Sequence, residues 1–155
     1  MITLFGMVDE HPDVVLPALL RAARGSYGHA IRRELVAAGF EDLPRNAPFV
    51  LGGMVNQGGN ASDLVRELGV TKQAASQLVD VLVERGYLRR ELDPDDGRRV
   101  SLGVTDRGRA AAAAVRNGVQ WVDAQLAERV SAAQIGGLRA GLVALCDIRD
   151  SLEAL

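Results

Sequence analysis

With 155 residues, 48% of them hydrophobic, the chain suits one globular domain with appended helices and has an ordinary apolar supply for a core. A formal net charge of −2 excludes a generally basic nucleic-acid coat, and one cysteine with two histidines excludes a disulfide framework and a multi-ligand zinc site. No apolar run approaches the ~18 residues of a membrane span. The acidic start, with Asp9 and Glu10, is unlike a secretory leader, so the chain is expected in the cytoplasm and off the membrane.

In chain order, the first predicted helix runs from about Pro17 to Ala38, with Gly39 as its stop. Leu19, Leu20, Ala23, Tyr27, Ala30, Ile31 and Leu35 form an apolar stripe on it. Arg21, Arg24, Arg32 and Arg33 give this segment a local basic excess. A second helix is predicted from Pro44 to Asn56, interrupted in composition by Gly52-Gly53 and ended by Gln57-Gly58-Gly59.

The stretch from Asn60 to Thr105 carries the most information. Asn60 with Asp63 resembles a capping box, and Ala61, Leu64, Val65 and Leu68 recur at helical spacing. Gly69 suits a sharp turn, Val70 a buried plug, and Thr71 the N-cap of another helix. Ala75, Leu78, Val79, Leu82 and Val83 mark that helix's inward face. Lys72, Gln73, Ser76, Gln77 and Asp80 fall on the opposite face. The helix ends at Gly86. Residues 87–92 and 99–104 then alternate as two strands around the turn-forming Asp93-Pro94-Asp95-Asp96-Gly97. Residues 85–109 hold seven arginines against five acids. Thr105 caps a long helix, about Asp106 to Arg129. Ser131 with Gln134 forms a capping box for a last helix, Ala132 to Leu152.

Helix, tight turn, helix and basic hairpin in that order describe a winged helix-turn-helix: a mainly α fold with a small β-hairpin wing. The sequence divides into residues 1–43 (N-terminal helix), 44–109 (winged helix-turn-helix) and 110–155 (C-terminal helices). The second helix of the motif is placed to enter a major groove. Gln73 and Gln77 can pair with adenine, Lys72 with guanine or phosphate, and Ser76 with either. Thr71, at the start of that helix, belongs to the same candidate interface. Asn60 and Ser62, at a helix N-terminus, suit phosphate, as do Arg90 and Arg99 on the strands.

These residues resemble the multiple-antibiotic-resistance regulator (MarR) family of bacterial transcription factors. The resemblance rests on D-L-V-R-E-L-G-V-T-K-Q-A-A-S-Q-L-V-D-V-L-V-E-R-G-Y-L, on Asp96-x-Arg98 followed by Thr105 and Gly108, and on one long helix before and two after. Val65 stands where the family usually has Ala, Gly97 where it often has Arg, and Gly103-Val104 where Leu is more usual. The resemblance implies that Arg98 reaches the minor groove from the wing while Asp96 holds the wing in shape. It also implies a homodimer built by the terminal helices, and release by a small aromatic or lipophilic effector whose site is unknown. The apolar spacing of Ile135, Leu138, Leu142, Leu145 and Ile148 independently favours that dimer. Whether the regulator represses or activates is open, with repression favoured.

Other residues read more plainly. Cys146, beside the last helix's apolar stripe, is expected to be a small buried hydrophobe. His29 is expected to be a satisfied structural histidine, and Trp121 a core or interface residue. No H-E-x-x-H, G-x-S-x-G or C-x-x-C occurs, so no enzyme, cofactor or metal is expected. The competing readings are a winged helix used for protein contact and a DNA binder without an effector.

Overall fold

The computed structural model describes residues 16–57, 71–92 and 100–153. It contains α1 (Leu16–Ala37), α2 (Ala47–Gln57), α3 (Lys72–Glu84), β1 (Leu88–Leu92), β2 (Val100–Val104), α4 (Asp106–Ala127) and α5 (Ala132–Glu153). The expected mainly helical fold with one hairpin is what forms. The two strands pair antiparallel, Leu88 opposite Val104 through Leu92 opposite Val100. The first helix of the predicted helix-turn-helix, with Asn60 to Val70, lies outside the described residues, as does the wing turn.

Three boundaries shift for local reasons. The second helix starts at Ala47 rather than Pro44, because residues 44–46 close a turn in which Ala47 N–H donates to Pro44 C=O at 3.0 Å. It runs on through Gly52-Gly53 to Gln57. Tyr87 stays out of the first strand, since its N–H donates to Leu82 C=O at 2.9 Å and so closes the preceding helix.

Two helices stop in the same way. Gly39 (φ 79°) and Gly86 (φ 73°) adopt the left-handed conformation that follows a helix end. Gly39 N–H donates to Val36 C=O and Phe40 N–H to Leu35 C=O; Gly86 N–H donates to Val83 C=O and Tyr87 N–H to Leu82 C=O. Each cap thereby delivers an aromatic ring, and the two rings meet edge-on with centroids 6.1 Å apart.

By its contacts the chain divides into two units, residues 1–119 and 120–155, with the boundary inside α4. The first unit holds the core: Leu35, Leu43, Ala47, Val50, Leu51, Leu82, Tyr87, Leu88, Ala111, Ala112, Ala114 and Val115. Leu, Val and Ala therefore supply most of the packing, as a chain with 4% aromatics requires. Close approach is made possible by two glycines of α4. A Cβ at Gly118 would lie 2.6 Å from Cα and 2.7 Å from N of Ile31 in α1, and one at Gly108 would strike the Tyr87 carbonyl.

In the second unit α5 opens with the predicted capping box. Gln134 N–H donates to Ser131 Oγ at 3.3 Å, and Ser131 N–H donates to Gln134 Oε1 at 2.8 Å. Its large apolar residues Leu138, Leu142, Leu145, Ile148 and Leu152 are exposed in the single chain. Cys146 is exposed too, which corrects its reading as a buried hydrophobe. Trp121 is 49% exposed and so is no core residue. His29 lies on the exposed side of α1, not within the core. Among the described residues no helix is long and apolar enough to cross a membrane.

Candidate nucleic-acid interface

The interface is built on α3. Its apolar residues Leu82, Ala75, Leu78, Val79 and Val83 pack on the core, and this fixes which face looks outward. At 100° per residue, Gln73, Ser76, Gln77 and Asp80 share an arc of about 100° on the other side. All four are exposed. Thr71 takes the N-cap position in extended backbone, and its hydroxyl accepts the Ala74 N–H at 3.2 Å. That bond leaves other first-turn N–H groups open to an anion. Lys72 opens the helix.

The wing strands follow directly. Arg90, on β1 opposite Leu102, donates from Nη2 to Asp80 Oδ1 at 2.6 Å. The arginine expected on phosphate is thus paired with a carboxylate of the outward face of α3, a partner that helical and strand periodicity had not joined. Arg89 and Glu91 pair with each other beside it. Of the other expected contacts, Gln73, Ser76 and Gln77 share that exposed face, and Thr71 caps the N-terminal end of the same helix. Asn60, Ser62, Asp96, Arg98 and Arg99 lie outside the described residues.

The platform beneath this surface is tied by polar groups that no local pattern reveals. Tyr87 is buried, and its hydroxyl donates to Asp42 Oδ1 at 2.5 Å. Arg107 Nη2 donates to Asp42 Oδ1 at 3.0 Å and to the Tyr87 hydroxyl at 3.2 Å. Its guanidinium lies 4.7 Å from the centre of the Tyr87 ring and 5.7 Å from that of Phe40. Arg85, at the end of α3, donates to the Asp42 carbonyl. The Tyr87 hydrogen bond is the main reason that the Asp42 carboxyl sits below its ordinary range, with the nearby Arg107 charge adding to it. Burial, and then Asp42 itself, push the Tyr87 hydroxyl up. The loop after α1, the end of α3 and the start of α4 are held at one point.

Thr105 joins the same region. Its Oγ1 lies 2.6 Å from the Gly86 carbonyl, to which it donates, and accepts the Gly108 N–H at 3.0 Å. Thr105 and Gly108, singled out as a pattern, thus have physical reasons: one caps α4, and the other lacks the Cβ that would collide with Tyr87.

Residues 41–99 match a family model described as the MarR family. Over that segment, which holds α2, α3 and β1, the chain is similar to the MarR family. Solved MarR-family structures share the fold over most of the chain. The Staphylococcus aureus MepR–DNA complex superposes with a TM-score of 0.69 at 19% identity, over 87% of this chain and 98% of that one. The MarR family transcription regulator SP03579 gives 0.67 at 20% identity, over 95% and 97%. RV1404 from Mycobacterium tuberculosis gives 0.63 at 23%, over 95% and 94%. The LexA repressor of Deinococcus radiodurans is 46% identical over 54 residues, 35% of this chain. The chain spans about a quarter of the length of that repressor, 24% of which is matched.

Proposed function

We propose that this chain is a sequence-specific repressor of transcription, cytoplasmic, which binds a pseudo-palindromic operator as a homodimer and is released by a small aromatic or lipophilic effector. The observation that carries the reading is the outward face of α3. Gln73, Ser76 and Gln77 stand exposed together at the N-terminal end of a capped helix, beside a basic hairpin. Amide and hydroxyl side chains read base edges in a major groove, and an open helix N-terminus receives phosphate. A face used for protein contact would instead present apolar anchors. The MepR chain bound to DNA lends further support, since its fold is shared.

Lys72, Asn60, Ser62, Arg90, Arg98 and Arg99 complete the interface in this reading, with Asp96 shaping the wing. The dimer is supported by Leu138, Leu142, Leu145, Ile148 and Leu152, an exposed apolar stripe too long for a solvated face. Residues 1–43 and 110–155 are the dimerising parts and 44–109 the reading part. The effector rests on family resemblance alone.

The test is fluorescence anisotropy on the intergenic DNA beside the chain's own gene, in ~150 mM salt with excess random competitor. Saturable binding at two subunits per site is expected. Loss of all binding to competitor, on this DNA and on sequences selected from a random pool, would overturn the reading.

A further inference from the structure

Asp80 is out of place on a surface built to meet phosphates. It shares the outward arc of α3 with Gln73, Ser76 and Gln77, yet it carries a negative charge. Among the described residues its carboxylate has one partner, the Arg90 guanidinium at 2.6 Å, and both side chains remain more than half exposed. The pair spans the two parts of the interface, since Asp80 belongs to the helix and Arg90 to the wing strand β1.

We propose that Asp80 is a specificity-determining residue, which withholds Arg90 from phosphate until a base-edge amino group takes the carboxylate. The inference rests on the DNA-binding reading above. An ion pair this exposed is weak against water and salt, so it orders Arg90 without locking it. A phosphate competes well for a guanidinium, through bidentate charge-assisted hydrogen bonds and counterion release. Moving Arg90 to phosphate strands the Asp80 carboxylate in the field of the backbone. On an arbitrary sequence that cost stands. On a sequence that places cytosine N4 or adenine N6 under Asp80, the carboxylate accepts an N–H from the base, and Arg90 is released at little cost. One phosphate contact thereby depends on one base. Discrimination comes from the penalty set against wrong sequences as well as from attraction to the right one.

The experiment is a double-mutant cycle on the full chain. Asp80→Asn, Arg90→Gln and the double variant are titrated with a selected operator and with random duplex across a salt series. Asp80→Asn is expected to tighten random DNA by roughly five-fold, equivalent to about 1 kcal/mol, and to steepen its salt slope by about one. The operator-to-random ratio should fall by a similar factor or more. In the Arg90→Gln background the gain on random DNA should shrink below about two-fold, because no arginine is left to release. A second selection with Asp80→Asn should lose preference at one position per half-site, and the base lost there separates cytosine from adenine. The inference is overturned if the gain persists without Arg90, which is simple charge repulsion, or if the ratio does not change. Should the unmutated chain bind neither operator nor random DNA, the DNA-binding reading fails and takes this inference with it.

Discussion

Replacing Gly118 by alanine tests the point where α4 meets α1. Alanine is the better helix former by about 0.8–1 kcal/mol, and a buried methyl is worth about 0.8 kcal/mol more when there is room for it. At Gly118 there is none. The new Cβ would sit 2.6 Å from Cα and 2.7 Å from N of Ile31, and 3.0 Å from the Ala30 carbonyl carbon. Carbon atoms rest at about 3.5–4.0 Å, so the helices must part by about 1 Å. Both nearest atoms are backbone, and no rotamer change relieves them. Overpacking of this kind costs typically 1–3 kcal/mol, and the upper half of that range applies here. After the gain in propensity, a net loss of about 1–2 kcal/mol is expected. Gly52→Ala in α2 is the control, because nothing lies within 4 Å of its Cβ. It should gain about 0.5–1 kcal/mol. Urea unfolding at fixed protein concentration reads both. For a slope of about 2 kcal/mol/M, the Gly118→Ala midpoint should fall by about 0.5–1 M and that of Gly52→Ala should rise. A Gly118→Ala midpoint at or above wild type, with the slope unchanged, refutes the packing argument.

Tyr87→Phe removes the hydroxyl that donates to Asp42, and should cost about 1–3 kcal/mol in urea unfolding at pH 7. The same variant should flatten the acid limb. The Asp42 carboxyl is depressed in the folded chain, so its contribution is full above the ordinary value of 3.8 and fades as pH falls through the lower folded value. Unfolding midpoints that fall in parallel for both proteins below pH 4 would contradict this. Gln77→Ala should weaken the preferred DNA site more than random DNA, by roughly 1–3 kcal/mol in anisotropy titrations. Equal loss on both rejects base readout by Gln77. Leu142→Glu should convert a dimer to monomer in size-exclusion chromatography with light scattering at micromolar concentration, and an intact dimer would remove that face from the interface.

Local periodicity made most of the fold legible. The alternation of Val79, Leu82 and Val83 with Gln73, Ser76 and Gln77 tells which way α3 faces before any contact is known. Capping was equally visible, because Thr71, Thr105 and Ser131 act on groups three residues away. What stayed hidden depends on distance along the chain. Asp42 and Arg107 stand 65 residues apart, and nothing near either one points to the other. Asp80 was seen to face outward, but its pairing with Arg90 requires the turn at Gly86 to fold the strand back beside the helix. The exposure of Cys146 is illegible for another reason. An apolar side chain at helical spacing reads as buried, whatever covers it.

The glycines of this chain have different evolutionary prospects. A count of seventeen suggests slack, yet four of them are among its least replaceable positions. Gly39 and Gly86 are held by handedness, since every L-residue with a side chain resists the backbone turn found there. Gly108 and Gly118 are held by space. Gly25, Gly28 and Gly52 are held by neither in the single chain, and drift at those sites should pass unnoticed by the fold. Among diverging descendants, the first four should persist as fixed letters while the other three scatter.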